Sequence, residues 1–323
     1  MASALPGRDS GRRLRVGLDI GGTKVDAVVL GDDDEIIGRV RRPSAYGDDG
    51  VISDVVGSVD QLMREIGRSA ADVASVGVGI PGLVDTDNGR VLHAVNLGVE
   101  SLDLSARTEG ALGAPVIVEN DVKAATRGAA ALSGIAEDGS MAYLNLGTGV
   151  AAGIIIGGEI WRGSGGIAGE VGHIAVDPRG RVCGCGQRGC IETFCGGGAL
   201  ARAWARPGEY PVLDILDAAD HGDDDALMLR AGLFHGAAAA VRVLVLSADV
   251  ATVVLGGGLA SLGDRLLDGI RAALRADAAN SPFLRSLHLD ERIELLPTGS
   301  PAAALGAALV GAIPRKKENA VHG

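Results

Sequence analysis

Hydrophobic and polar positions along this chain follow two periods, and the switches between them mark out the elements. From Leu14 to Pro43 the sequence LRVGLDIGGTKVDAVVLGDDDEIIGRVRRP is a series of short apolar stretches broken at GGTK and GDDDE. That pattern predicts three consecutive antiparallel strands. Asp48 to Ser69 changes to helical spacing, with Val51, Val55, Val59, Leu62 and Ile66 on one face, and is expected to pack across that sheet. VASVGVGIPG (73–82) reads as a strand ending in a glycine-proline turn, and PVIVEND (115–121) as a strand ending in polar residues. An alanine-rich helix follows from Val122 to Leu132, with Asp121 at its expected N-cap. Farther on, 198–206 and 226–246 read as helices separated by an acidic connection, Asp214 to Asp225, taken as solvated surface. VATVVLGGGLA (250–260) predicts a buried strand running into three glycines and then a helix. Pro297 and Pro301 break the chain before a last helix, 302–313.

The opening pattern returns. LDIGGTKVDAVVLGDD (18–33) lies over LNLGTGVAAGIIIGGE (144–159) at a constant offset of 126, with Asp19 over Asn145 and the GGT turn over GTG. Strand, glycine turn and strand recur, which predicts two related α/β domains facing one cleft, each contributing a glycine loop. The expected division is a small N-terminal domain, 13–120, to which helix 302–313 returns, and a larger domain, 121–301.

Composition narrows the class. The 323 residues are 47% hydrophobic and only 2% aromatic, so the cores must be built from Val, Leu, Ile and Ala. A net charge of -11 has the wrong sign for a protein that relies on grasping nucleic-acid phosphates. The N-terminus, MASALPGRDSGRRLR, has charge with no apolar run behind it and is not read as a signal peptide. Ala237 to Ala248, which contains Arg242, and Ala302 to Ile313 are read as buried helices too short or interrupted to cross a bilayer. Residues 1–12 and 314–323 read as loose tails. All four cysteines fall between 183 and 195, a clustering that favours metal in a reducing cytoplasm over a disulfide framework.

In EVGHIAVDPRGRVCGCGQRGCIE (170–192), His173 is followed by Cys183, Cys185 and Cys190. Three thiols and an imidazole supply the four ligands of a closed tetrahedral Zn2+ site, with Gly184, Gly186 and Gly189 letting the backbone turn around the metal. Four protein ligands leave no open position, so the metal is expected to fix a loop and not to do chemistry. The loop carries Glu170, Glu192 and the second ring nitrogen of His173. Cys195, outside the motif, reads as a packed free thiol.

Three glycine turns, Gly21-Gly22-Thr23-Lys24, Gly147-Thr148-Gly149 and Gly256-Gly257-Gly258, sit at strand ends. None fits GxxxxGK[ST], and none has the strand-GxGxxG-helix context of a dinucleotide fold. Three such turns in a duplicated chain point to a nucleotide held by backbone N-H groups. Phosphoryl transfer needs a cation on the phosphates and a base for the attacking hydroxyl. Asp19 is placed to hold Mg2+ through water, whereas Lys24 has the alternative role of closing the strand. Asp121 is either a base or only a helix cap. Asn120, Asp121, Glu170, His173 and Glu192 together make a set of donors and acceptors suited to a polyol.

At these residues the chain resembles the ROK family, bacterial sugar kinases and repressors. DIGGTK, GIPG, VENDVKAA, LNLGTG, GEVGHI, CGCGQRGCIE and VLGGGLA stand in the family's order at about its spacings, over nearly the whole chain. The resemblance implies a two-domain actin-like ATPase (ribonuclease H-like) fold and an ATP-dependent hexose kinase acting on glucose or an amino sugar. By it Asp121 is the catalytic base, and Asn96, Asn120, Glu170, His173 and Glu192 bind sugar with backbone help near Gly82. His173, Cys183, Cys185 and Cys190 bind zinc, and the glycine motifs at 21, 147 and 256 bind ATP. It also implies a cytoplasmic homo-oligomer, dimer or tetramer, with no nucleic-acid or membrane partner. The family's repressors carry a helix-turn-helix domain before this core, for which the start of DIGGTK at residue 19 is expected to leave no room. The chain departs from the family at Ala151 and Ala152 in the second glycine motif, at Lys123 after the expected base, and at Val99, where many members have an aromatic residue.

Overall fold

The structure is a computed structural model describing residues 14–136 and 138–312. The expected tails and the end of helix 302–313 lie outside the described residues. In chain order the elements are β1 (Leu14–Ile20), β2 (Lys24–Leu30), β3 (Ile36–Pro43), α1 (Asp48–Glu65), β4 (Val73–Ile80), β5 (Leu83–Asp85), β6 (Arg90–Ala94), β7 (Val99–Asp103), α2 (Leu104–Leu112), β8 (Val116–Asn120) and α3 (Asp121–Leu132). There follow β9 (Met141–Leu146), β10 (Val150–Ile156), β11 (Glu159–Ile160), α4 (Glu192–Cys195), α5 (Gly197–Trp204), α6 (Pro211–Asp220) and α7 (Asp224–Ala248). The chain closes with β12 (Thr252–Gly256), α8 (Asp264–Ala278), α9 (Pro282–Ser286), β13 (Ile293–Leu295) and α10 (Ala302–Gly311).

The chain forms two compact units, 14–124 with 303–312, and 125–302. In the first, a five-stranded sheet has the order β3-β2-β1-β4-β8. The β1-β2-β3 meander is antiparallel, and β1, β4 and β8 run parallel. Its core gathers Val16, Leu18 and Ile20 of β1 with Val51, Val55, Val59 and Leu62 of α1, the helical stripe read from the sequence. On β1 and β4, a Cβ at Gly17 or Gly77 would overlap the carbonyl oxygens of Ala304 and Ala307, so α10 lies directly on bare strand backbone. Ala304, Leu305 and Ala308 fill a small cluster there with Val28 and Leu30. A three-stranded antiparallel sheet, β5-β6-β7, occupies a stretch to which the sequence pattern assigns no element.

In the second unit the sheet order is β11-β10-β9-β12-β13, again an antiparallel hairpin followed by parallel strands. The 126-residue repeat is therefore a repeat of topology, with β2 at 24–30 matched by β10 at 150–156. The second turn is one residue tighter: Ile20 pairs with Val25, but Leu146 pairs with Val150.

Two readings require correction. The acidic stretch 214–225 is not a solvated connection: α6 runs Pro211–Asp220 and buries Val212, Ile215, Leu216 and Ala219. These recur at helical spacing behind the aspartates, and Pro211 stands at the first helical position. The apolar run 237–248 is the end of the 25-residue α7, which by length and composition is long enough to cross a membrane. Half of its apolar window is buried, with Leu233, Val241, Leu244 and Val245 in the core.

Candidate functional site

At the ends of β1 and β8 the first unit brings carboxylates together. Asp19, paired in register with Asp26 and Gly79, has its pKa raised to about 7, by burial first and then by the negative charges of Asp121 and Asp26; Lys24 works in the opposite direction. Asp121 is the first residue of α3. Asn120, not Asp121, spans the cap: its Oδ1 accepts from the backbone N-H groups of Val122 (3.1 Å) and Lys123 (3.2 Å). Asp121 Oδ1 accepts from Val122 N-H at 2.9 Å. The cap role left open for Asp121 in the sequence is thus taken largely by its neighbour Asn120.

Asn120 Nδ2 donates to the Gly82 carbonyl at 3.3 Å, where Gly82 has a φ of 99°. Gly79 leaves space where a Cβ would stand 3.2 Å from that of Ala124 and 3.6 Å from Cα of Asp121. The first glycine turn backs onto the Asn96 loop, with the Cβ position of Gly22 only 3.3 Å from Asn96. Lys24 is exposed at the start of β2, and Lys123 is buried.

The second unit assembles the other two glycine motifs. A cavity of about 510 Å³ is lined by Gly147 and Thr148 from one, Gly258 from the other, and by Gly197, Gly198 and Tyr210. Gly197 and Gly198 N-H groups donate to the carbonyls of Gly147 (2.8 Å) and Thr148 (2.9 Å), fixing α5 against the turn. Gly256 and Gly257 have other duties: a Cβ on Gly256 would enter the Tyr143 ring, and one on Gly257 would approach Asn145 and Leu146. Glu192 closes the turn from beneath, its Oε2 accepting from Val150 N-H at 3.0 Å beside the bare Cα of Gly149. Ala152 is buried and its N-H donates to Gly169 at 2.7 Å.

Gly197, Gly198 and Tyr210 are absent from the residues singled out by sequence. The CGGG run at 195–198 is a fourth glycine cluster and was a legible signal; Tyr210 had none.

His173, Cys183, Cys185 and Cys190 converge so that their ligand atoms all lie within 4.8 Å of one another. Cys183 Sγ is 3.7 Å from His173 Nδ1, and Cys185 Sγ is 3.7 Å from Cys190 Sγ. A zinc tetrahedron with sulfur arms of 2.3 Å has edges of about 3.8 Å, so the donor set fits a Zn2+ ion. Nδ1 faces the thiols, which leaves Nε2 of His173 for another partner. The N-H groups of Gln187 hold the Cys185 thiol down, to about 6, while burial and the neighbouring thiols push Cys190 up to about 12. At Gly189 (φ 67°) a side chain would overlap the Asp177 carbonyl, so the hairpin closes only around glycine. Glu170 immediately precedes the single turn Val171–His173, which seats Gly172 on the Val150 carbonyl of β10. Cys195 is fully buried away from this cluster, and burial pushes its thiol pKa up.

The ROK family model matches residues 15–311. The chain belongs to the ROK family. Among its relatives, the glucokinase of Halalkalibacterium halodurans is 32% identical over 82% of this chain and 86% of its own length. The N-acetylmannosamine kinase of Escherichia coli O157:H7 is 31% identical over 91% of this chain and 96% of its own. A crystal structure of a ROK family glucokinase from Streptomyces griseus in complex with glucose and AMPPNP superposes with a TM-score of 0.74 at 31% identity, covering 92% of this chain and 99% of that one. The fold is the actin-like ATPase fold of ROK sugar kinases.

Proposed function

We propose that this ROK protein is an ATP-dependent sugar kinase that phosphorylates the 6-hydroxyl of glucose or a glucose-like hexose or amino sugar. The observation that carries the reading is the Asp121 carboxylate at the head of α3, with Asn120 spanning the helix cap and Asp19 close enough to repel it. Its relatives include kinases of both glucose and N-acetylmannosamine, which supports the sugar-kinase class and leaves the substrate to experiment.

In this reading Asp121 accepts the proton of the 6-hydroxyl as its oxygen attacks the γ-phosphorus of ATP and the bond to ADP breaks. Asn96, Asn120 and the main chain near Gly82, with Glu170, His173 Nε2 and Glu192, bind the sugar hydroxyls. The motifs Gly21-Gly22-Thr23-Lys24, Gly147-Thr148-Gly149 and Gly256-Gly257-Gly258 serve ATP, with the base and ribose in the cavity beside Tyr210. Bound Mg2+, held through Asp19, would neutralise phosphate charge. Bound Zn2+ at His173, Cys183, Cys185 and Cys190 would keep the loop bearing Glu170 and His173 in one conformation.

The test is ADP release with Mg-ATP and a panel of glucose, mannose, fructose, glucosamine, kanosamine and the two N-acetylhexosamines, for wild type and Asp121→Asn. One dominant sugar is expected, with turnover reduced about 10²–10⁴-fold in the variant although the sugar still binds. No turnover with any sugar, while one still raises the melting temperature, would replace the kinase by a sugar sensor.

A further inference from the structure

Tyr46 is one of three tyrosines in the chain, and the residue is 77% exposed. An aromatic ring left in water gains nothing from folding, yet the backbone around this one is fixed on both sides. Ala45 N-H donates to the buried Asp54 carboxylate at 2.7 Å, and Gly47 N-H donates to the Leu97 carbonyl at 2.7 Å. The ring edge lies over Gly98, where any Cβ would collide with it. Gly98 is two residues from Asn96, and it also lines a cavity of about 640 Å³ with Asp48, His93, Glu100 and Ser101. His93, with a φ of 54°, and Glu100 lie on adjacent strands β6 and β7, between the paired residues Leu92–Ser101 and Ala94–Val99. Neither Asp48 nor Glu100 forms an ion pair with an arginine or lysine among the described residues, and Ser101 accepts from Arg90 at 3.1 Å.

An exposed aromatic ring against Gly98, at the edge of a cavity lined by carboxylate, imidazole and hydroxyl groups, matches the two surfaces of a pyranose, apolar C-H on one side and hydroxyls at its rim. We infer that Tyr46 and this cavity form a saccharide subsite next to the Asn96 loop, with Tyr46 as the platform and Glu100 and His93 as hydroxyl partners. The inference rests on the sugar-kinase reading for its substrate, but its test does not need turnover.

Calorimetric titration of the full chain with glucose, N-acetylglucosamine and maltose is compared for wild type, Tyr46→Ala and Tyr46→Phe. Tyr46→Ala is expected to weaken saccharide binding about five- to ten-fold, Tyr46→Phe to restore it to within about two-fold, and binding of AMPPNP to stay unchanged. Loss for all three sugars places the substrate's own ring on Tyr46, and loss for maltose alone places a second ring there. Equal affinities of wild type and Tyr46→Ala for every sugar overturn the subsite, as does a wild type that binds none of them. A chain that binds sugar through Tyr46 yet phosphorylates none keeps the subsite and overturns the kinase.

Discussion

Asp19 shows how a single side chain carries conflicting demands. Its carboxyl titrates at about 7 and not near 3.8, because burial and two neighbouring aspartates disfavour the charge. A carboxyl whose folded pKa is raised binds its proton more tightly when folded, so its favourable contribution is complete below about pH 4 and is lost as pH rises to about 7. Asp19→Asn should therefore become more stable relative to wild type on going from pH 4 to 8, by on the order of 1–3 kcal/mol. Denaturant unfolding of both proteins without ligands across that range checks it, and a pH-independent difference would refute it. Saturating Mg-ATP should reverse the order at pH 8, since the charge then has a cation to meet.

At the scale of elements, the hairpin that carries His173, Cys183, Cys185 and Cys190 holds the greatest consequence per residue. Its backbone is tied by the bridges Ala175 to Cys190 and Val182 to Arg188 and by the turns beside them, and the four converging side chains offer a bound metal as a further tie. Its glycines are spent where the chain turns back on itself, at Gly186 (φ 91°) and Gly189. Chelation, or Cys185→Ser, should release one zinc per chain, lower the melting temperature and weaken sugar binding through His173, while affinity for AMPPNP changes little. Metal analysis and paired titrations with sugar and nucleotide analogue decide it; equal loss of both ligands would mean that the hairpin supports the whole unit and not the sugar residues.

For the whole molecule, the last helix of the chain completes the first sheet. Gly17 and Gly77 lack side chains where α10 seats its carbonyls, a fit that makes the first unit discontinuous in sequence. Truncation after residue 301 should cost β1 and β4 their protection from hydrogen exchange and leave bound zinc and the protection of α7 intact. Protection retained in β1 would show that the 14–124 segment is stable without its closing helix.

Sequence by itself determined the repeated strand-turn-strand, the residues of the Cys3His cluster, the glycine motifs and the family, because each is written in residue type at fixed local spacing. It misassigned α6, since charge outweighed a four-residue apolar stripe, and it gave no element to β5, β6 and β7, whose short alternations are set by neighbouring strands. Only the tertiary structure decided that Asn120 takes the cap beside Asp121, that Gly197, Gly198 and Tyr210 join Gly147 and Gly258 around one cavity, and that Glu192 bonds the second glycine turn. The first is a local choice between two adjacent side chains able to cap the same helix, and the others depend on contacts between residues far apart in the chain, which packing alone brings together.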